Sequence, residues 1–217
     1  MRSLTDIRRP PALTEEVHAR LFEQLMTHSI APGTKLSVDA LARSLNVSQT
    51  PIREALARLE AQGLVVKVHL VGYRVADRIA PDRLEQIYEF RLLTEPHMAA
   101  RAAERMSTQE RTSLLAQCRR MESDHDIHTP QDYAGFSRLD ETFHHTIAVA
   151  SGNTVIKDAL SALHLHVHLF RMSQPPTAVS DAIEEHSRIA QAIAAADPQA
   201  AADAMRNHIL RSQSRFA

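Results

Sequence analysis

Leu36 to Leu64 reads LSVDALARSLNVSQTPIREALARLEAQGL, and the fold of the front of the chain turns on it. Ser37 can cap a short helix over Val38 to Leu45, whose Leu41 and Leu45 face inward. Asn46-Val47-Ser48 then makes a turn. Ser48 or Thr50 is expected to cap the next helix, with Pro51 in its first turn, where a missing N–H is harmless. Ile52, Leu56 and Leu59 recur on one side of that helix at helical spacing, and Thr50, Arg53, Glu54, Ala57 and Arg58 take the other. Small residues beside an arginine let this polar face approach a DNA groove, with Arg53 reaching a phosphate or a guanine edge. Gly63 is placed to end the helix in a left-handed conformation.

Outward from this pair, Val17, Leu21, Phe22 and Leu25 predict an amphipathic helix that opens at Leu13 or Thr14, with Glu15 and Glu16 near its positive end. Pro32-Gly33 stops it. On the other side, Val65, Val66, Val68, Val71 and Val75, interrupted by Gly72, predict a two-strand hairpin with its tip near His69 to Gly72. Helix, helix-turn-helix and hairpin in that order make a winged helix-turn-helix. Its expected extent is residues 1–76, followed by a linker at 77–82 and a second, all-helical domain at 83–217.

Composition agrees with two modest domains. The 217 residues are 44% hydrophobic with only 5 Gly, which favours a mainly α protein. Net charge is −1, but Met1 to Arg78 holds 11 basic against 8 acidic residues and Ile79 to Ala217 holds 14 against 18. A basic front and an acidic back suit a nucleic-acid-binding unit joined to something else. The lone Cys118 excludes an intramolecular disulfide and favours a reducing compartment. With no apolar run of signal or membrane-span length, the expected location is cytoplasmic and no membrane partner is expected.

The back domain shows helical periodicity only, with helices expected near 82–104, 108–122, 130–150, 153–173, 179–196 and 198–215. It has no glycine-rich phosphate loop, GxSxG or CxxC. Arg91 falls inside an apolar stripe with Leu84, Ile87, Tyr88, Glu95, Met98 and Ala102, so it needs an anion: Glu95 one turn on, or a ligand carboxylate. Phe136, Asp140, Phe143, His144 and Ile147 share one helix face, so Asp140 and His144 point inward together. His186 lies beside Ile189, Ala190 and Ile193, and His208 beside Ala201, Ala204 and Met205. Four inward donors on three helices can meet on a metal ion, although an Asp–His ion pair accounts equally for the first two. In the helix at 153–173, His168 and Arg171 are candidate effector contacts, with His164 beside them and His166 facing away.

Two stretches carry a family likeness. VSQTPIREALARLEAQGLV and the preceding PGTKLSVDALARSLNVS resemble the signature of GntR-type transcription regulators over Val17 to Val75. That likeness implies operator contacts from Ser48, Thr50 and Arg53, with Gln49 among them and Gly72 at the wing. Gln49 stands where the family usually has Arg, and Val38 where an acidic residue is common. RLLTEPHMAARAA, DETFHHTIAVASGN and EEHSRIAQAIAAADPQAAADAMRNHI resemble the FCD effector domain of the FadR subgroup. This second likeness implies an antiparallel helical bundle. It also implies a divalent metal, zinc, nickel or similar, on Asp140, His144, His186 and His208, and a small carboxylate effector at or near it. The expected function is a homodimeric regulator, a repressor, that binds double-stranded operator DNA and responds to that acid. The rivals are a metal-dependent enzyme acting on a small carboxylate and a purely structural metal.

Overall fold

The computed structural model describes residues 12–123, 130–163 and 178–215. The chain divides into two units, one ending at Asp77 and the other beginning at Arg78.

The first unit contains α1 (Ala12–Met26), β1 (Lys35–Leu36), α2 (Val38–Leu45), α3 (Gln49–Ala61), β2 (Val65–Val68) and β3 (Gly72–Val75). α1 packs on α3. The core between them is Val17, Leu21, Phe22 and Leu25 against Ile52, Leu56 and Leu59, all buried. α2 starts as expected, with the Ser37 hydroxyl accepting from the Ala40 N–H at 3.3 Å. It ends on Asn46 in the left-handed region (φ 52°), where the short polar side chain of Asn is tolerated. Ser48 occupies the cap position of α3, but neither it nor Thr50 caps the helix with its side chain. A capping oxygen takes the N–H of the second or third helical residue, and the third here is Pro51, which has none. Gly63 (φ 71°) does end α3, and the Leu64 N–H returns to the Leu59 carbonyl at 3.0 Å.

The hairpin is part of a larger sheet. β1 pairs antiparallel with β3 (Lys35↔Arg74, Leu36↔Tyr73), and β2 pairs antiparallel with β3 (Val65↔Val75 to Val68↔Gly72), for the order β1-β3-β2. β1 has only two residues, too few for any alternation to show in sequence.

The second unit contains α4 (Pro81–Arg105), α5 (Thr108–Ser123), α6 (Pro130–Ser151), α7 (Thr154–Ala162), α8 (Ala178–Ala194) and α9 (Pro198–Ser214). Local chemistry sets several starts. Ser107 and Glu110 form a reciprocal capping box for α5, and Asp197 caps α9 with Pro198 at its first residue. α4 packs against α9 and α6, and α8 against α9 and α5. Tyr88, Ala99, Ala102, Leu114, Phe143, Ile189, Ile193 and Ile209 form the core. The Tyr88 hydroxyl is satisfied by Ser212 Oγ at 2.8 Å. Of the helix expected over 153–173, the described part ends at Ala162, and His164, His166, His168 and Arg171 lie outside the described residues.

Cys118 is buried in this bundle with its thiol directed at the His186 carbonyl (3.7 Å). Burial, aided by Glu122, pushes the thiol pKa up to about 12. The folded chain is therefore expected to resist iodoacetamide at pH 8 and to label fully in denaturant. The unfolded thiol loses its proton near pH 9 while the folded one keeps it, so this group reduces stability as pH rises from 9 toward 12. Rapid alkylation of the native protein would contradict this burial.

Candidate metal centre and DNA-reading helix

On the exposed side of α3, side-chain partners divide the helix into two parts. Glu54 accepts from the Thr14 hydroxyl at 2.9 Å, and Arg58 is ion-paired with Glu15, so the C-terminal half is tied to α1. Gln49, Thr50 and Arg53 remain exposed at the N-terminal end, the end that points at base edges in helix-turn-helix proteins. Gln49 Nε2 donates to Asp39 Oδ1 at 2.6 Å, and Arg53 Nη2 donates to Gln49 Oε1 at 3.1 Å. A groove of about 410 Å³ runs beside this end, lined by Asp39 and Arg43 of α2 and by Ser48 and Gln49. Asp39 and Arg43 were not among the sequence candidates. Their i, i+4 spacing on the exposed side of α2 was the only available signal. Gly72 is exposed at φ 101° with nothing near its missing Cβ, so backbone conformation alone calls for glycine there.

In the helical unit, Asp140 and His144 of α6, His186 of α8 and His208 of α9 are all buried. One nitrogen from each histidine lies within 4.8 Å of the others. Asp140 Oδ1 is 3.2 Å from His186 Nε2 and 4.0 Å from His144 Nε2. Two donors each about 2.1 Å from one ion are separated by at most about 4.2 Å. Both carboxylate separations satisfy this limit, and the histidine nitrogens, within 4.8 Å of one another, would draw together to share an ion.

Two glutamates orient two of the rings. His144 Nδ1 meets Glu95 Oε2 at 2.6 Å, and Glu95 Oε1 accepts from Arg91 Nε at 2.5 Å. His208 Nδ1 meets Glu185 Oε2 at 2.8 Å, and Glu185 Oε1 accepts from Arg215 Nη2 at 2.5 Å. Each arrangement leaves Nε2 of its histidine directed away from the glutamate, as carboxylates do when they hold the far nitrogen of a metal-bound imidazole. The His186 ring is held by stacking on Phe143, centroids 4.5 Å apart. Both its nitrogens are buried without a hydrogen bond, a costly state unless something coordinates one.

Electrostatics keep the set ready to bind a cation. Burial, reinforced by His208 for His186 and by His144 and Arg91 for His208, holds both pKa values well below the usual histidine range. The His186 and His208 rings are therefore neutral, the form that ligates a metal. Burial alone would raise the Glu95 pKa, but Arg91 and His144 hold it well below the carboxylate range, so it is ionised. This donor set, three imidazoles and a carboxylate, fits a divalent transition metal.

Arg91 is buried (1% exposed) and engaged with Glu95, the first of the two partners its position allowed. Glu185 escaped the sequence reading altogether. It is an acidic residue on an apolar helix face, next to His186, and that mismatch was the available clue.

A winged helix-turn-helix unit joined to a helical bundle defines a two-part DNA-binding protein. The chain belongs to the gntR family of bacterial regulatory proteins, matched over residues 13–75, and carries an FCD domain, matched over residues 86–211. It is thus a DNA-binding transcription regulator of the GntR/FCD type, a family of regulators and not of enzymes. The chain is 29% identical to an HTH-type transcriptional regulator in an unstable DNA locus of Streptomyces ambofaciens, covering 89% of this chain and 80% of that one. It is 27% identical to the transcriptional repressor NanR of Escherichia coli, covering 91% and 81%. The solved structure of E. coli McbR/YncC shares the fold, with a TM-score of 0.67 at 20% identity over 92% of this chain and 94% of that one. Among the described residues no helix is long and apolar enough to cross a membrane.

Proposed function

We propose that this regulator is a homodimeric repressor whose grip on its operator is set by a small carboxylate, bound at or near a divalent metal in the helical unit. The observation that carries the proposal is the meeting of Asp140, His144, His186 and His208 around His186, whose buried ring nitrogens lack hydrogen-bond partners. Asp140 and the three rings would hold the ion, which would supply a Lewis-acidic position for an oxygen ligand. Ser48, Gln49, Thr50, Arg53 and Gly72 would face the DNA. Repression is the activity in the name of the NanR relative, and a two-fold dimer doubles the base pairs read.

Charge favours an anionic effector. Glu95, Glu185, Asp140 and Asp181 exceed Arg91, Arg211 and Arg215 by one negative charge, so a divalent ion would leave this network with one positive charge. A monocarboxylate neutralises it. Arg91, His168 and Arg171 are the proposed further contacts. The acid can shift operator binding only by its difference in affinity for the DNA-competent and incompetent states.

The test is elemental analysis of the purified chain, followed by thermal-shift screening of carboxylates with and without a chelator. One equivalent of metal and acid-induced stabilisation that chelation abolishes are expected. Acid binding that survives chelation and Asp140→Ala would remove the metal from sensing. Metal without any acid effect would leave it a structural role.

A narrower expectation concerns Glu185→Gln. It keeps the size of the side chain but removes the anion that orients His208, and should weaken metal affinity about 10- to 100-fold. Competition against a chromophoric chelator reads this directly, and an unchanged affinity would deny Glu185 that role.

A further inference from the structure

We propose that Asp39 helps select the base sequence this chain binds, acting as a positioning residue through Gln49. The inference rests on the reading of the chain as an operator-binding regulator.

A glutamine amide has nearly the same shape when its oxygen and nitrogen exchange places, so only its hydrogen bonds decide which edge it offers. Reading a base with such an amide needs donor and acceptor in a fixed order, as in the paired contact to adenine N6 and N7. Here both ends of the amide are specified by neighbours. Nε2 donates to Asp39 Oδ1 at 2.6 Å across the turn between α2 and α3. Oε1 accepts from Arg53 Nη2 at 3.1 Å, one turn along α3. The amide retains one free N–H and one free lone pair, held in a single order at the N-terminal end of α3. The same bond chain aims Arg53, whose remaining guanidinium donors are left for a phosphate or a guanine edge.

Asp39 is exposed at the edge of the groove it shares with Arg43, Ser48 and Gln49. A carboxylate there repels phosphates whatever the sequence, and so lowers affinity without discrimination. Its contribution to discrimination is the orientation of Gln49. Asp39 also lies in the first turn of α2, where an anion favours the helix, so a simple structural role is the alternative to eliminate.

Two substitutions separate these roles. D39N retains a side-chain oxygen that can accept from Gln49 Nε2 but removes the charge; D39A removes both. The full-length wild type and both variants would be presented with a randomised duplex DNA pool. The bound fractions would be sequenced, and affinities for the enriched duplex and its single-base variants measured at several salt concentrations. Wild type and D39N are expected to enrich one motif, with D39N binding every duplex severalfold more tightly. D39A is expected to enrich a broader motif, with discrimination at one or two adjacent positions reduced about tenfold. Melting curves of the three proteins establish that folding is unaffected.

Unchanged discrimination in D39A, with only a uniform gain in affinity, would reduce Asp39 to a charge and overturn the proposal. Equal broadening by D39N and D39A would overturn it too, because charge and not orientation would then be the cause. A wild-type chain that enriches no motif would overturn the operator-binding reading itself, a result distinct from either.

Discussion

Chelation is expected to lower the melting temperature of the wild-type helical unit by about 5–10 °C and that of His186→Ala by nothing. An ion present at about one hundred times its dissociation constant adds about 2.7 kcal/mol to the folded state, and 1 kcal/mol shifts the transition of a domain this size by about 2–4 °C. His186 is the proposed ligand to remove because its ring makes no hydrogen bond that the substitution would also break. Its loss leaves a hole beside Phe143, a cost of a few kcal/mol common to the metal-loaded and metal-free forms. In the metal-free form that cost is partly offset, since two buried nitrogens without hydrogen bonds leave with the ring, although Asp140 loses its contact with Nε2. The increment due to chelation is therefore cleaner than the absolute melting temperature. If His186→Ala retained both the wild-type metal stoichiometry and the chelation shift, the proposed ligand set would be wrong.

Arg53→Ala is expected to weaken operator binding by about 30-fold or more while leaving the fold intact. A well-placed arginine contact to a base edge is worth about 1–3 kcal/mol, and a dimer loses it twice. Arg53 is exposed, and its side chain bonds to Gln49 on the same helix, so the fold should lose no more than about 0.5 kcal/mol. The substitution also releases Oε1 of Gln49, so some of the loss should appear as relaxed base preference. Anisotropy titrations at several salt concentrations would divide the effect, since each lost phosphate contact flattens the logarithmic salt dependence by about 0.9. Wild-type affinity in Arg53→Ala would contradict the placement of the N-terminal end of α3 at the DNA.

Much of this protein was determined by residue order alone. The apolar spacing of Ile52, Leu56 and Leu59, with Gly63 behind them, set α3 and its buried side. The periodicity of α6, α8 and α9 turned Asp140, His144, His186 and His208 inward, and the structure buries all of them. Helical spacing is a local property and says which way a residue faces, but not what it meets. Tertiary packing decided the rest. It paired β1 with β3 across some forty residues, a match invisible in a two-residue strand. It gave Glu95 to both Arg91 and His144, brought Glu185 between His208 and Arg215, and placed Asp39 against Gln49. Each of these partners, apart from Arg91 one turn away, is supplied by another element. Periodicity left Arg91 two possible anions, and the fold supplied one of them in Glu95.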